Sequence, residues 1–380
     1  MQLVVTEDQE LLAKTAVDWV RAHAPLKRVR ELRDAKDPLG FSRAHWKQMA
    51  ELGWVGIPFA EQWGGAGMGF ADLAVVLEAL GRTLAPEPFL STVLLAGQAI
   101  AQGGSDAQKQ AWLPGVCAGD AILAFAHTES QSRFDRFRVA TQARPEGGGF
   151  RIDGQKVQVL DAASADALVV VARTGGGERD AAGITLFLVP KGAAGLAITP
   201  QTRIDHRAAA LVRLDGVRVG ADAVIGGVGQ GAALLDAVVD RATAGLCAEM
   251  LGSTEQVFAD TVQYLKTRLQ FGVPIGSFQA LKHRAARVYM EVELARSAVM
   301  AVTRAIDAGD AETAKLVSLA KARCSDAFVL AANEGVQMFG GVGMTDEYDV
   351  GFYMKRARVA EMTFGDAAWH RERWARLGGY

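Results

Sequence analysis

An arginine, an aromatic ring and a glutamine are grouped in one short stretch of the sequence, TRLQFGVPIGSFQ (residues 267–279). Arg268 precedes a break at Phe271 and Gly272, and Gln279 follows that break. A guanidinium can hold a diphosphate through two parallel hydrogen bonds, and glycine lets the backbone approach a ligand closely. The stretch therefore has the residue types that suit a diphosphate ligand. The structural alternative is an arginine that faces the dipole at a helix end.

The elements that must position this stretch fall into three zones. Helical periodicity dominates the first third of the chain and returns after AVIGGVGQG, where the pattern predicts a long helix that ends at Gln270. Between these zones, short runs rich in β-type residues alternate with Gly, Pro and Asp turn signals, which is typical of a compact β-barrel or sandwich. The sequence therefore predicts an α+β fold with a helical domain (1–120), a β domain (121–225) and a helical bundle (226–380).

The charge balance and the cysteines limit the partners and the cellular location. With 41 basic and 43 acidic residues, the chain has no global field to attract nucleic acid or an anionic membrane. Cys117, Cys247 and Cys324 are far apart in apolar surroundings, so we expect reduced core residues of a cytoplasmic protein. The sequence has no signal-peptide pattern, no run of the roughly 20 apolar residues that span a bilayer, and no histidines at metal-ligand spacing. We therefore expect no membrane, nucleic-acid or metal partner.

Five segments, taken together, resemble the acyl-CoA dehydrogenases, flavoenzymes that introduce a double bond next to a CoA thioester. They are WGGAGMG, HTES, IDGQK, the stretch around TRLQFGVPIGSFQ, and QMFGGVGMTDEYDV (337–350), and they follow the family's order along the whole chain. The resemblance implies N-terminal helices, a central β domain and a C-terminal four-helix bundle. It also implies FAD as cofactor, an acyl-CoA substrate, a place in fatty acid or lipid metabolism, and electron-transfer flavoprotein as the electron acceptor.

The resemblance assigns candidate cofactor-binding residues in two groups. In the family, the arginine motif and the glutamine-glycine segment contact the diphosphate and adenosine half of the FAD that belongs to the neighbouring subunit. By resemblance these roles fall, with one further position in the β domain, to the following residues: Arg268, Gln270, Phe271, Gly272, Gln279, Gln337, Gly340, Gly341 and Thr128.

The catalytic base of the family has no counterpart in this sequence. Removing the α-proton of a thioester needs a carboxylate on the side of the acyl chain opposite the flavin, which accepts hydride. The family usually places a glutamate before Gly-Thr near the C-terminus, and here Phe364 stands at that position, with Asp366 at the threonine. A second lineage carries its glutamate on the helix after the β domain, where Ala242 or Thr243 falls. Two acids within one or two turns of that second site are interpreted as solvated or capping residues: Asp240 and Glu249.

The flavin-facing part of the β domain also departs from the family pattern. Thr-Glu-Pro-x-x-Gly-Ser-Asp becomes TESQSRFD, so Arg133 and Phe134 replace the glycine and the serine that lines the CoA site. After GQK, the Trp-Ile-Thr or Ser that shields and hydrogen-bonds the flavin becomes Gln158, Val159 and Leu160. Leu160 has no group that can hydrogen-bond a flavin nitrogen. The departures cluster in one pocket, whereas the motifs for a neighbour's cofactor are intact.

These contrasts lead to one main hypothesis and two alternatives. The chain resembles the degenerate partner subunit of a heteromeric acyl-CoA dehydrogenase, a heterotetramer in which it holds the adenosine side of an FAD that belongs to a complete subunit. The first alternative is a self-sufficient homo-oligomer with Asp366 as an atypical base, although an aspartate would misplace the carboxylate by about 1 Å and cost on the order of a hundredfold in rate. The second is non-enzymatic DNA binding through basic segments at 355–358 and 370–376, which are better interpreted as solvated helix faces.

Overall fold

Helices form the first and the last parts of the described chain, and strands lie between them. The computed structural model describes residues 4–380. The N-terminal helices are α1 (Glu7–His23), α2 (Leu26–Ala35), α3 (Arg43–Glu51), α4 (Phe70–Arg82), α5 (Gln98–Gly103) and α6 (Asp106–Cys117), with a π-helical segment at Phe89–Gly97. Local sequence fixes the starts of α1 and α6, because capping boxes at Thr6 and Ser105 pair backbone N–H groups that a helix start leaves open.

The central strands form one mixed sheet within residues 4–380. The strands are β1 (Leu123–Ala126), β2 (Gln142–Glu146), β3 (Gly149–Leu160), β4 (Ala167–Arg173), β5 (Ile184–Pro190), β6 (Leu196–Gln201), β7 (Ala209–Gly220) and β8 (Val224–Ile225). They pair in the order β6-β7-β3-β2-β4-β5-β8, and β1 pairs in parallel with β4. Strand β4, with the sequence ALVVVAR, is buried along its whole length, as expected for a strand covered on both faces.

The chain after the sheet is helical except for one short hairpin. Its elements are α7 (Ala232–Thr267), β9 (Leu269–Gln270), β10 (Val273–Pro274), α8 (Gln279–Ala308), α9 (Thr313–Phe339), α10 (Val350–Met362) and α11 (Ala367–Leu377). Helix α9 packs against α8, α10 and α11. The predicted order of helices, sheet and helices is confirmed. None of the helices that lie in residues 4–380 combines the length and the apolar composition that crossing a bilayer requires.

Contacts between Cα atoms group the described residues into two units. One unit contains the chain up to Glu31 together with Gly69–Ala85 and Thr243–Tyr380. The other contains Leu32–Met68 and Pro86–Ala242. The predicted division at residues 120 and 225 follows the chain rather than this grouping, and it stays a prediction.

In the first unit, α4 and α7 cross with their backbones in contact. A Cβ on Gly81 would lie 2.1 Å from the carbonyl oxygen of Glu249, and one on Gly252 would lie 1.9 Å from that of Glu78. Both glycines are therefore required by the close approach of the two helices. Ser253 adds to the crossing, because its hydroxyl donates to the carbonyl of Gly81 at 2.8 Å.

A buried ion pair fixes part of the sheet in the second unit. Lys156 Nζ on β3 donates to Glu129 Oε1 at 2.5 Å, and neither side chain is more than 3% exposed. The same carboxylate accepts the Thr141 hydroxyl and the backbone N–H groups of Thr141 and Ala140. Burial alone would raise the pKa of Glu129, but Lys156 and the hydrogen-bond donors hold it at about 2. The pair ties the segment after β1 to β3.

Substitution of Glu129 tests this pair through the pH dependence of stability. The pKa of Glu129 falls from 4.5 to about 2 on folding, so its ionised form contributes stability that is fully present above pH 4.5 and is lost as the pH falls through 2. We expect Glu129→Gln to lower the free energy of unfolding at pH 7 by about 3–5 kcal/mol, because it leaves Lys156 buried without its counterion. The difference from the wild type should shrink as the pH falls below 4.5.

Urea unfolding of the full chain at pH 7 and at pH 3 measures both effects. Glu178→Gln is a matched control, since Glu178 pairs with Arg138 while its side chain is 48% exposed. Exposed pairs of this kind contribute at most about 1 kcal/mol. An equal loss in the two variants, or a loss that does not change with pH, would contradict this role of the pair.

Candidate functional site

The predicted nucleotide-contact stretch folds as a tight hairpin at the end of α7. Helix α7 ends at Thr267, and the prediction that it continues to Gln270 is wrong. Phe271 and Gly272 both have positive φ angles, 55° and 79°, which is the conformation of a two-residue turn between antiparallel strands. Because of this turn, the residues on either side of it pair as β9 and β10 instead of extending the helix.

The hairpin presents an aromatic ring and a guanidinium to solvent. Phe271 is 92% exposed and Leu269 is 60% exposed. Within residues 4–380 the Arg268 guanidinium forms no hydrogen bond or ion pair, although the backbone N–H of Arg268 donates to Tyr264 at 2.8 Å. Gln279, the first residue of α8, is also exposed. The chain therefore leaves these groups available to a ligand or to another chain.

Tyr264 connects the hairpin to the second candidate segment. Its ring stacks on Phe339 with the centroids 4.1 Å apart, and its hydroxyl donates to the Phe339 carbonyl at 3.3 Å. Phe339 ends α9, so Gln337 lies in the last turn and Gly340 and Gly341 follow directly. All three of these residues are exposed, and a Cβ on either glycine would meet no atom within 4 Å. The structure thus brings the two predicted cofactor segments to the same end of α7 and α9.

The loop at the family's usual base position carries an aromatic ring and a capping carboxylate. Phe364 has a φ of 63° and Gly365 has a φ of 119°. Asp366 is the N-cap of α11, where its Oδ1 accepts the backbone N–H of Trp369 at 2.8 Å. A capping carboxylate is directed towards the start of its own helix. This geometry weighs against Asp366 as an atypical base.

The second base position is enclosed and holds no acid. Ala242 and Thr243 on α7 are fully buried. The two flanking acids form ion pairs with side chains that are at most 10% exposed: Asp240 with Arg136 (2.8 Å) and Glu249 with Arg356 (2.9 Å). The interpretation of these acids as solvated or capping residues is wrong, because buried carboxylates at these places require charged partners.

Thr128, the cofactor candidate of the β domain, lies beside a neutral histidine. Its Oγ1 is 3.2 Å from His127 Nε2. Burial lowers the pKa of His127 to about 3, and the charges of Lys156 and Arg136 act in the same direction. The imidazole is therefore uncharged at neutral pH. The hydroxyl of Thr128 thus has a partner within its own chain.

Bulky side chains occupy the positions where the sequence departs from the family pattern. The guanidinium of Arg133 lies 5.3 Å from the centroid of the Phe134 ring, a cation–π contact. Arg133 and Gln158 are exposed and have positive φ angles, 49° and 54°. Leu160 ends β3 and is half-buried. The backbone here takes conformations that favour glycine or asparagine, whereas the side chains are large.

This architecture matches one known family domain by domain. Family models match residues 6–120 as the acyl-CoA dehydrogenase N-terminal domain, 124–217 as its middle domain and 229–378 as its C-terminal domain. The chain belongs to the acyl-CoA dehydrogenase family. Membership confirms the family resemblance and the predicted fold of N-terminal helices, a middle sheet domain and C-terminal helices.

The likeness to individual acyl-CoA dehydrogenase relatives extends along the chain. The acyl-CoA dehydrogenase FadE12 of Mycobacterium tuberculosis is 31% identical over 372 residues, which cover 94% of this chain and 92% of the relative. A chain of the ChsE4–ChsE5 complex from Mycobacterium tuberculosis is 30% identical, with a TM-score of 0.89 over 99% of this chain and 98% of that chain. A chain in the structure of the electron transferring flavoprotein of Acidaminococcus fermentans is 26% identical, with a TM-score of 0.92 over 99% of both chains.

Sequence reasoning found the exposed candidates but missed the buried cations behind the site segments. Lys156 lies in the IDGQK segment, and Lys321 lies in an apolar part of α9. Both side chains are fully buried. A lysine on the buried face of a helix or strand is itself a signal, because such a charge is rarely buried without specific partners.

Substitution of Asp366 separates a capping role from a catalytic one. Asparagine caps helices about as well as aspartate, so we expect Asp366→Asn to leave the stability and the dehydrogenase turnover of the assembled enzyme nearly unchanged. Asp366→Ala removes the acceptor and should lower the free energy of unfolding by about 1 kcal/mol. Acyl-CoA turnover and urea unfolding measure the two effects. A drop in turnover of roughly a hundredfold or more for Asp366→Asn would restore this residue as the base.

Proposed function

We propose that this chain takes part in the FAD-dependent α,β-dehydrogenation of an acyl-CoA thioester as the partner subunit of a heteromeric enzyme. In this role it holds the diphosphate and adenosine half of an FAD whose flavin ring lies in a catalytically complete neighbouring subunit. The observation that carries the proposal is the hairpin formed by β9 and β10, with its exposed Phe271 and with an Arg268 guanidinium that forms no hydrogen bond or ion pair within residues 4–380.

The hairpin has the chemical groups that a dinucleotide tail requires. The Arg268 guanidinium supplies charged donors in a fork that fits a diphosphate. The ring of Phe271 offers an apolar face to the adenine, and the amides of Gln270 and Gln279 can donate to or accept from its polar edges. Gly272 allows the turn that brings these groups to the surface. FAD, when bound, accepts the hydride, and these residues hold its far end.

The segment at the end of α9 extends the same surface. Gln337 is exposed beside Gly340 and Gly341, and a Cβ on either glycine would meet no atom of residues 4–380 within 4 Å. Gly340 has a φ of 70°, a conformation that favours glycine by itself. At Gly341, a ligand that approaches the backbone closely would give a reason for glycine.

The acids of this chain support a partner role over independent catalysis. By resemblance, Phe364 stands at one position where the family carries its base, and Ala242 or Thr243 stands at the other. Asp366 caps α11, and the acids nearest to Ala242 are held in buried ion pairs. Deprotonation of the carbon next to the thioester needs a carboxylate within hydrogen-bond reach of that proton. The complete subunit would supply this base.

A paralogous acyl-CoA dehydrogenase subunit is the proposed partner, in a heterotetramer. Similarity to a chain of the ChsE4–ChsE5 complex supports this choice, because that assembly joins two different chains. We further propose that the reduced flavin passes its electrons to an electron-transfer flavoprotein, in line with the similarity to a chain in a structure of such a protein. The reaction belongs to fatty acid or lipid metabolism and takes place in the cytoplasm.

The amount of flavin bound per chain tests whether this chain holds only the adenosine half of a partner's FAD. Purified together with a paralogue that carries the family's glutamate, the chain should form a complex that contains roughly one FAD for every two chains. The chain purified alone should retain little flavin, because it holds only one end of the cofactor. The absorbance of released flavin, divided by protein concentration, gives the ratio. One FAD per chain together with dehydrogenase activity of the lone chain would refute the proposal.

Arg268→Lys tests the diphosphate contact within that complex. Lysine keeps the charge but loses the two-point contact, and the loss of a charge-assisted hydrogen bond costs about 1.5–3 kcal/mol. We therefore expect FAD to bind at least ~10-fold more weakly. Titration of the apo complex with FAD, followed by flavin fluorescence, measures the affinity. Arg213→Lys is the control, since Arg213 is an exposed arginine paired with Asp215 on β7. Equal affinities for the Arg268 variant and the wild type would count against the contact.

A further inference from the structure

The loop that carries Phe364 rests on a buried lysine. Lys321 on α9 has a fully buried side chain. Its ammonium donates to the carbonyl oxygen of Gly365 at 2.7 Å, to that of Glu361 at 2.9 Å, and to Ser325 Oγ at 3.1 Å. Within residues 4–380 it forms no ion pair. Its three protons therefore bind neutral oxygens. Two of these, the carbonyl oxygens of Glu361 and Gly365, lie at the end of α10 and in the loop before α11.

A charge in this place is costly to the fold. An ammonium loses its hydration when it is buried, whereas a leucine or methionine would fill the same space without that loss. Burial lowers the pKa of Lys321 to about 8. The titratable groups that face the ammonium come from all the packed helices: Cys247 on α7, Cys324 on α9, Glu361 on α10 and Asp366 at the start of α11. The two carboxyl groups offset the cost only in part, since the pKa of Lys321 stays lowered, so the remaining stabilisation must come from the oxygens that the ammonium binds.

Further contacts hold the same loop. His370 Nε2 lies 3.1 Å from the carbonyl oxygen of Phe364, and the imidazole is fully buried. A Cβ on Gly365 would lie 2.6 Å from the ring of Trp369, so this position requires glycine. Phe364 has a φ of 63°, a conformation that an aromatic residue keeps only when its surroundings stabilise it. The shape of the loop is therefore imposed by its neighbours.

We propose that Lys321 is the positioning residue of this loop. Its ammonium fixes the peptide at Gly365 and thereby sets the direction of the side chain at position 364, where the family carries its base. The identification of position 364 as the base position rests on the proposed function. The hydrogen bonds from which we infer the role of Lys321 lie within this chain. Here the fixed side chain is an aromatic ring, so Lys321 keeps the base position filled by Phe364.

Deprotonation of Lys321 gives the proposal a pH signature. A neutral amine has two protons for its three acceptors, so one of these oxygens must lose its donor. The pKa of about 8 places this loss between neutral pH and about pH 9. Hydrogen bonding to Cys247 and burial raise the pKa of Cys324 well above its usual range, so the neighbouring thiol stays neutral over the same interval.

Hydrogen exchange of the full chain, followed by mass spectrometry of a peptide that covers residues 361–370, tests the proposal. A peptide from the body of α9, residues 326–336, serves as the internal reference. We expect Lys321→Met to speed the exchange of the loop peptide by roughly tenfold or more at pH 7 and to leave the reference peptide unchanged. Lys315→Met is the matched control, since Lys315 lies on the same helix and pairs with Glu312 nearer the surface. It should change neither peptide.

The pH profile separates positioning from a general structural role. After correction for the intrinsic exchange rate, the loop peptide of the wild type should exchange faster as the pH rises from 7 to 9. The same rise should be absent in Lys321→Met. Lys321→Gln, which keeps two donors without a charge, should exchange at an intermediate rate that does not depend on this titration.

Several results would overturn the proposal. Loop exchange within about twofold of the wild type in Lys321→Met would show that the ammonium does not hold the loop. Equal acceleration in the loop and the reference peptide would assign Lys321 to the stability of the helices in general. If Lys321→Met does not fold, the wild type alone decides. A corrected exchange rate of its loop peptide that does not rise from pH 7 to 9 would contradict the proposal. None of these readouts involves flavin or a partner subunit, so they remain distinct from a failure of the proposed function.

Discussion

A buried charge persists only where oxygens of the fold pair with it, and this constraint shapes both units of the chain. In one unit, Lys156 pairs with Glu129 and ties the segment after β1 to β3. In the other, Lys321 donates to the carbonyls of Glu361 and Gly365. By family resemblance, Lys156 closely precedes the segment that faces the flavin, and Lys321 contacts the loop that would carry the catalytic base. At these places an interior cation thus binds oxygens from segments that are distant along the chain.

The buried arginines of the chain obey the same constraint, whereas the exposed Arg268 is not subject to it. Arg173 is 1% exposed, and its guanidinium donates to backbone carbonyls from several turns. Arg136 contacts two carboxylates, and their charges raise its pKa although burial opposes this. By contrast, Arg268 is exposed, and its guanidinium has no hydrogen bond or ion pair within residues 4–380. Water hydrates this guanidinium, and the diphosphate contact of the proposed function would replace that water.

The sequence predicted the order of helices and strands because periodicity follows from which face of each element is buried. It could not predict the end of α7, because the hairpin depends on a positive φ at Phe271 that residue preferences disfavour. It also misjudged Asp240 and Glu249, because their partners, Arg136 and Arg356, lie far away along the chain. Motifs located the exposed cofactor candidates, whereas the buried ion pairs required the tertiary structure.

Positive φ angles occur at three of the positions that depart from the family pattern, and also outside them, for example at Leu84 and Phe271. Arg133, Gln158 and Phe364 all take this conformation, which costs about 1–2 kcal/mol for an L-residue with a Cβ. Local preference cannot produce it, so the surrounding contacts must. A backbone that is imposed by its neighbours can accept a different side chain without changing its path. In this chain Phe364 occupies the position of the family's glutamate by resemblance, and the peptides at Phe364 and Gly365 are hydrogen-bonded by His370 and Lys321.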